Sequence, residues 1–224
     1  MTLNLYYWPL RGLNESIVTL LEHLGVEYNL HRINTSEEWA THKADLITKG
    51  FDFPNLPYIE HNGKYLSEAL AIMTYLAQTF GHSELLPTQD EMARFIQLDG
   101  IVADVNNLMV TQTYGSASLD VFKTNIATAL QRHGPKFPAL LKLATSQQWL
   151  LGDNRLTVLD FKFAELVEKL RDQDNEIGLN GYGVDLKGFD SYLERFLSLP
   201  KVKEYRASSK FQARPYNGNS AVWK

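Results

Sequence analysis

Along the first eighty residues the spacing of apolar positions switches repeatedly between a period of two and a period near 3.6. In residues 2–8, Leu3 and Leu5 alternate with Thr2 and Asn4, as in a half-buried strand. Ile17, Leu20, Leu21 and Leu24 then fall at i, i+3, i+4 and i+7, one face of a helix, and Gly25 stands where a helix commonly ends. Residues 26–33 read as a second strand. Residues 36–46 read as a second helix, starting near Ser36 with Glu37 and Glu38 in the first turn, where negative charge suits the helix dipole. Pro54 and Pro57 bracket an extended stretch. Tyr58 to Glu60 and Lys64 to Leu66 flank Asn62-Gly63, a strong hairpin signal. From Glu68 to Phe80, Leu70, Met73, Leu76 and Ala77 make another helical stripe. The order is β-α-β-α-β-β-α: a parallel crossover, then an antiparallel edge, in a small open α/β sheet.

The pattern changes at residues 81–91, a polar stretch with Gly81 and Pro87 that reads as a linker. Beyond it the helical period dominates, over residues 90–112, 119–145, 158–172 and 187–207. Thr157 and Asp160 form a capping box opening the third of these helices. The expected organisation is an α/β domain over residues 1–82 and an all-helical domain over 90–224. The irregular, aromatic tail from Ser208 is expected to pack over the body of the protein.

Composition narrows the chemistry. With 44% apolar and 21% charged residues the chain is globular, and 224 residues bury ample core. A net charge of −4 gives no basic patch for nucleic acid or an anionic membrane. The absence of cysteine excludes disulfides, zinc–thiolate sites and a cysteine nucleophile, and fits a reducing compartment. No apolar run reaches the ~18 residues of a membrane span, and the start lacks a signal-peptide pattern, so a cytoplasmic location is expected. His23, His31, His42, His61, His82 and His133 are scattered without ligand spacing, so no metal site is expected.

The string Leu5-Tyr6-Tyr7-Trp8-Pro9-Leu10 puts two phenols and an indole at the end of a core strand. Taken alone, these are packing aromatics. The element order resembles thioredoxin, but Tyr6-Tyr7-Trp8-Pro9 stands where a redox Cys-x-x-Cys would be. A thioredoxin-like sheet followed by a helical domain, with a tyrosine ending strand one, resembles the cytosolic glutathione transferases. The strings YWPLRGL (7–13) and DFPNLPY (52–58), and a tail of SSKF, ARP and AVWK, are similar to the mu class.

This resemblance implies an enzyme that takes glutathione as co-substrate, needs no further cofactor, and conjugates it to small hydrophobic electrophiles in detoxification. Tyr7 matches the catalytic tyrosine, whose O–H would stabilise the thiolate, the reactive form of a group with a free pKa of about 8.5. Trp8 and Leu13 match residues lining the tripeptide, and Asn55 another glutathione-binding position. Pro57 matches a cis-proline that would leave Leu56 N–H and C=O to pair with the peptide, as an added strand would. Trp39 and Lys43 match a pair contacting the glycine carboxylate, with three residues inserted before Asp52. The loop preceding this pair is shorter than in the mu class.

Glu68-Ala69 falls where the mu class has Gln-Ser. Glu68 can still accept from the γ-glutamyl ammonium, whereas Ala69 lacks the hydroxyl for its carboxylate. Helix-start N–H groups, or Ser67 in a slipped register, are the alternatives. Asp104 matches an acid reaching the second subunit's glutathione. Leu10, Tyr114 and Phe211 match the electrophile pocket, and Phe53 an aromatic key joining a homodimer. Tyr6, on the opposite strand face, is expected to be structural. Two rivals remain: a ligand-binding or structural relative without turnover, suggested by Ala69, and a glutathione-dependent isomerase.

Overall fold

The computed structural model describes residues 2–132, 136–153, 155–178 and 186–224. Its first part is β1 (Leu3–Tyr7), α1 (Asn14–Leu24), β2 (Tyr28–Arg32), α2 (Ser36–Thr48), β3 (Tyr58–His61), β4 (Lys64–Ser67) and α3 (Ala69–Thr79). The sheet has the order β2-β1-β3-β4. β1 lies parallel to β2, with Leu5 beside Leu30, and antiparallel to β3, with Leu5 beside Ile59. This is the expected thioredoxin-like arrangement.

Local chemistry accounts for the boundaries. Gly25 closes α1 at φ +66°, its N–H reaching the Glu22 and Leu21 carbonyls. Thr35 caps α2 by accepting the Glu38 N–H, while the Glu38 carboxylate accepts the N–H of Asn34, the residue before the cap. Asn62 and Gly63 both have positive φ, as a type I′ hairpin requires. Strand alternation sends Leu3, Leu5 and Tyr7 to one face, all buried, and Tyr6 to the other. There Tyr6 stacks between Tyr58 and His31, each 4.4 Å away between ring centres, in the structural role expected of it.

The helical part comprises α4 (Met92–Gly115), α5 (Leu119–Arg132), α6 (Lys136–Ser146), α7 (Val158–Ile177), α8 (Asp190–Leu197) and α9 (Pro200–Arg206). The helix expected over 119–145 is thus two, with residues 133–135 outside those described. The one expected over 187–207 is a 3-10 turn followed by α8 and α9, because Pro200 cannot continue α8 and instead opens α9 at its first turn. The expected linker is not slack: it holds a 3-10 turn, Ser83–Leu85, whose Leu85 is buried in the main core.

α7 runs through that core. Asp160 accepts the Thr157 N–H and hydroxyl, the Leu150 N–H at 2.8 Å and the Tyr192 hydroxyl at 2.5 Å. One carboxylate therefore starts the helix and ties two distant segments to it. Asp160→Ala leaves a buried N–H and a buried phenol without acceptors. We expect a loss of about 3–5 kcal/mol, read as a fall in the thermal midpoint of roughly 6–15 °C. A midpoint within 2 °C of wild type, within about one kcal/mol, would show the box to be dispensable.

Candidate active site between the sheet and the helices

Tyr7 is the last residue of β1, so its side chain emerges where the strand gives way to the loop before α1. Its oxygen accepts the Leu13 N–H at 3.0 Å. The phenol's one donor function is left unspent on that contact, and the chain doubles back tightly to make it. Gly12, at φ +43°, lies between: a Cβ there would come within 2.7 Å of Leu10 Cδ1 and 2.9 Å of Tyr7 Cε1. Burial pushes the Tyr7 phenol up to about 12, helped by neighbouring Tyr114 and opposed by the Leu13 N–H. The group is therefore a proton-bearing donor throughout the neutral range.

Arg11, in the same loop, escaped the sequence reading. It is 2% exposed and grips Glu165 of α7 with two bonds, Nε to Oε1 at 3.0 Å and Nη2 to Oε2 at 2.5 Å. It also reaches Glu168 at 2.7 Å, and Tyr216 Oη at 3.0 Å. Glu168 is shared with Arg206. The only sequence signal was Glu165 and Glu168, an i, i+3 acid pair on α7. The tail fastens to the loop as well: Arg11 N–H donates to Pro215 C=O at 2.8 Å, and Gly12 N–H to Tyr216 C=O at 3.1 Å. Arg32, from the end of β2, donates to Trp8 C=O at 2.8 Å and to Gln212 Oε1 at 2.6 Å. The expectation that the tail packs over the body holds.

Tyr7, Leu10 and Leu56 share one buried cluster, with Trp8 and Trp39 packed against it. The Leu56–Pro57 bond is cis. Among the described residues, no backbone hydrogen bond uses Leu56 N–H or C=O. Asn55 and Lys43 are exposed nearby in the chain. Glu68 adopts φ +71°, a conformation rare for a residue with a side chain, and stands directly before α3. Ser67 does not substitute for a hydroxyl at position 69, because its Oγ is buried and donates to Phe53 C=O at 2.7 Å. A cavity of about 420 Å³ opens beside Glu68 and Ala69, bounded by Leu13, by α4 at Asn106 and by α7 at Lys169. A larger groove of about 830 Å³ runs along the β2 edge, with no lining residue in common with it.

Leu10 and Tyr114 both lie beside Gly218, a residue the sequence reading missed. Gly218 N–H donates to Tyr114 Oη at 2.6 Å, and a Cβ on Gly218 would sit 3.7 Å from Leu10 Cδ2. Phe211 packs on the charged network: its ring lies under the Arg206 guanidinium at 4.3 Å, 5.3 Å from that of Arg11, and edge-on to Tyr205. Asp104 is exposed on α4 and ion-paired with Lys136. Phe53 projects into solvent, 79% exposed. No cluster of metal-ligating side chains occurs among the described residues, and His133 lies outside them.

The comparisons agree with this geometry. Residues 1–78 match the glutathione S-transferase N-terminal domain, and residues 104–209 the C-terminal domain. The chain therefore belongs to the glutathione S-transferase family of enzymes. It is 30% identical to glutathione S-transferase Mu 2 of Macaca fuscata fuscata, an alignment spanning 100% of this chain and 99% of that one. It is also 30% identical to the class-mu 26 kDa isozyme 7 of Fasciola hepatica, over 94% and 91% of the two chains. The crystal structure of the glutathione S-transferase Blo t 8 superposes with a TM-score of 0.79 at 25% identity, covering 98% of each chain. Among the described residues, no helix is long and apolar enough to cross a membrane.

The tight turn at Gly12 is open to test. Gly12→Ala adds a Cβ in a strained conformation against Tyr7 and Leu10. We expect it to cost about 1–3 kcal/mol, lowering the thermal midpoint by roughly 3–10 °C. An unchanged midpoint would refute the close packing of Gly12 on Tyr7.

Proposed function

We propose that the protein activates the thiol of glutathione through the Tyr7 hydroxyl and conjugates it to apolar electrophiles. One observation carries the reading: Tyr7 accepts the Leu13 N–H and stays protonated, so its own O–H is oriented and free to donate. A hydrogen bond to the charged form of a thiol lowers its pKa, each unit corresponding to about 1.4 kcal/mol. The thiol proton leaves to solvent. The thiolate sulfur then bonds to the electrophilic carbon, and a halide departs or an epoxide oxygen takes up a proton.

The peptide would lie along the sheet end, its cysteine paired with the Leu56 backbone and its neighbours being Trp8, Leu13 and Asn55. Trp39 and Lys43 would face its glycine carboxylate, and Glu68 its γ-glutamyl ammonium. The electrophile would sit against Leu10, Tyr114 and Gly218, where the Tyr114 phenol can donate to developing negative charge. Holding the two reactants together contributes the rest. We place the enzyme in the cytoplasm, in detoxification.

Exposed Phe53, with Ile96 59% and Met92 44% exposed on the first turns of α4, supplies an apolar surface for a second copy. Asp104 would then exchange Lys136 for the second subunit's glutathione. Phe53→Ser is expected to shift the protein from dimer to monomer in sedimentation equilibrium; a variant that stays dimeric removes Phe53 from the interface.

The decisive variant is Tyr7→Phe, assayed with glutathione and a generic aryl halide. Loss of one hydrogen bond to a charged group predicts turnover lowered about 10- to 100-fold, and a bound-thiol pKa raised by about 1–2 units. Equal, slow turnover by both proteins would instead favour a binding protein, the reading that the missing hydroxyl at Ala69 supports. A product free of glutathione would identify an isomerase.

A further inference from the structure

The cavity beside Glu68 and Ala69 contains a cation with no carboxylate bonded to it. Lys169, on α7, is 5% exposed and lines the cavity wall opposite the start of α3. Burying an ammonium costs several kcal/mol unless a partner repays it. No hydrogen bond or ion pair reaches Lys169 from the described residues. The acids of the two helix walls, Glu165, Glu168 and Asp99, are already committed. Both oxygens of Glu165 are held by Arg11. Glu168 is divided between Arg11 and Arg206. Asp99, on the α4 wall, pairs with Lys162. Lys169 is surplus.

At the mouth of the same cavity the sign is reversed. Glu68 is exposed, has no ion pair among the described residues, and is held at positive φ so that it stands proud of α3. The cavity thus offers a carboxylate at its rim and an ammonium in its wall, with Asn106 and Asn107 of α4 also lining it. That pattern complements an α-amino acid zwitterion. Of the cavity's two binding charges only the rim acid was visible from the sequence, and Ala69 and Ser67 supply no hydroxyl for the other end.

We propose that Lys169 is the residue that holds the α-carboxylate of the γ-glutamyl group, with Glu68 taking its ammonium. The assignment rests on the glutathione reading above. It makes Lys169 a specificity-determining residue contributed by the helical part of the chain, rather than by the sheet part that carries Tyr7. The ammonium is also conditionally charged: burial pushes it down to about 8, Arg11 pushing the same way and Glu165 opposing. A bound carboxylate favours the protonated form, so affinity for it falls as pH rises through 8. The other charged groups around the cavity are Glu68 on the α3 side, Asp99 and Lys162, and, behind α7, Glu168, Arg206 and Glu15.

Calorimetric titration with two probes tests this. S-methylglutathione carries the glutamyl carboxylate but no ionising thiol. Its analogue with 4-aminobutanoyl in place of γ-glutamyl lacks only that carboxylate. Lys169→Met is expected to weaken S-methylglutathione at least tenfold while leaving the analogue within twofold, and Lys169→Arg to restore most of the loss. Raising the pH from 7 to 9 should weaken S-methylglutathione more for wild type than for Lys169→Arg, whose guanidinium stays charged, a comparison that stands even if the Met variant fails to fold. If the Met variant binds S-methylglutathione as wild type does, or weakens both probes equally, the assignment falls and the glutathione reading survives. If wild type binds neither probe, both fall.

Discussion

The bidentate grip of Arg11 on Glu165 is the constraint on which the rest of the site depends. Arg11 belongs to the short loop between β1 and α1, and Glu165 to the central helix α7, 154 positions later. That one loop also carries Leu10, Gly12 and Leu13. Its position therefore sets the Leu13 N–H that orients Tyr7, the floor of the proposed electrophile pocket, and the near wall of the cavity at α3. A buried ion pair is weak support for stability in itself, since desolvation consumes much of its attraction. Breaking it by removing one partner is costly, because the other is left charged and unpaired. The pair thus acts as a registration device between the sheet and the helices.

The tail completes what the loop begins. Its backbone carbonyls at Pro215 and Tyr216 hold Arg11 and Gly12, and its Gly218 N–H holds the Tyr114 hydroxyl. Tyr216 and Trp223 stack at 5.2 Å and are both buried, so this segment is as much core as covering. The proposed chemistry is then enclosed by three separate stretches of chain: a strand end, a long helix and an irregular tail.

What the sequence disclosed, and what it did not, divides by the range of the interaction. Elements set by local chemistry were legible: the Asn62-Gly63 hairpin, the Gly25 cap, the Thr157–Asp160 box and the alternation separating Tyr6 from Tyr7. Tyr7, Trp8, Leu13 and Pro57 were legible through short strings that carried a family likeness. Helix ends were less so, since helical period continues across Pro200, although the proline itself was a stop signal. The site's long-range parts had no local signature. Gly218 looks like any tail glycine until it stands against Tyr114. The two arginines beside the Phe211 ring, Arg11 and Arg206, come from distant parts of the chain. Lys169 reads as one more charge on a helix, and its significance lies only in the fact that Glu165, Glu168 and Asp99 already have cations.

The location of these charges also determines how the molecule responds to ionic strength. Screening acts on charges in contact with solvent and little on those beneath the surface. Arg11, Glu165 and Glu168 lie inside, whereas Lys136 and Asp104, which pin α6 to α4, are exposed, with side chains 39% and 49% accessible. Concentrated salt would then weaken this outer pair, leaving α6 held by buried Phe137 and Leu140, while the junction between sheet and helices kept its register. The part of the protein that meets a changing ionic environment is the part whose electrostatics matter least to Tyr7.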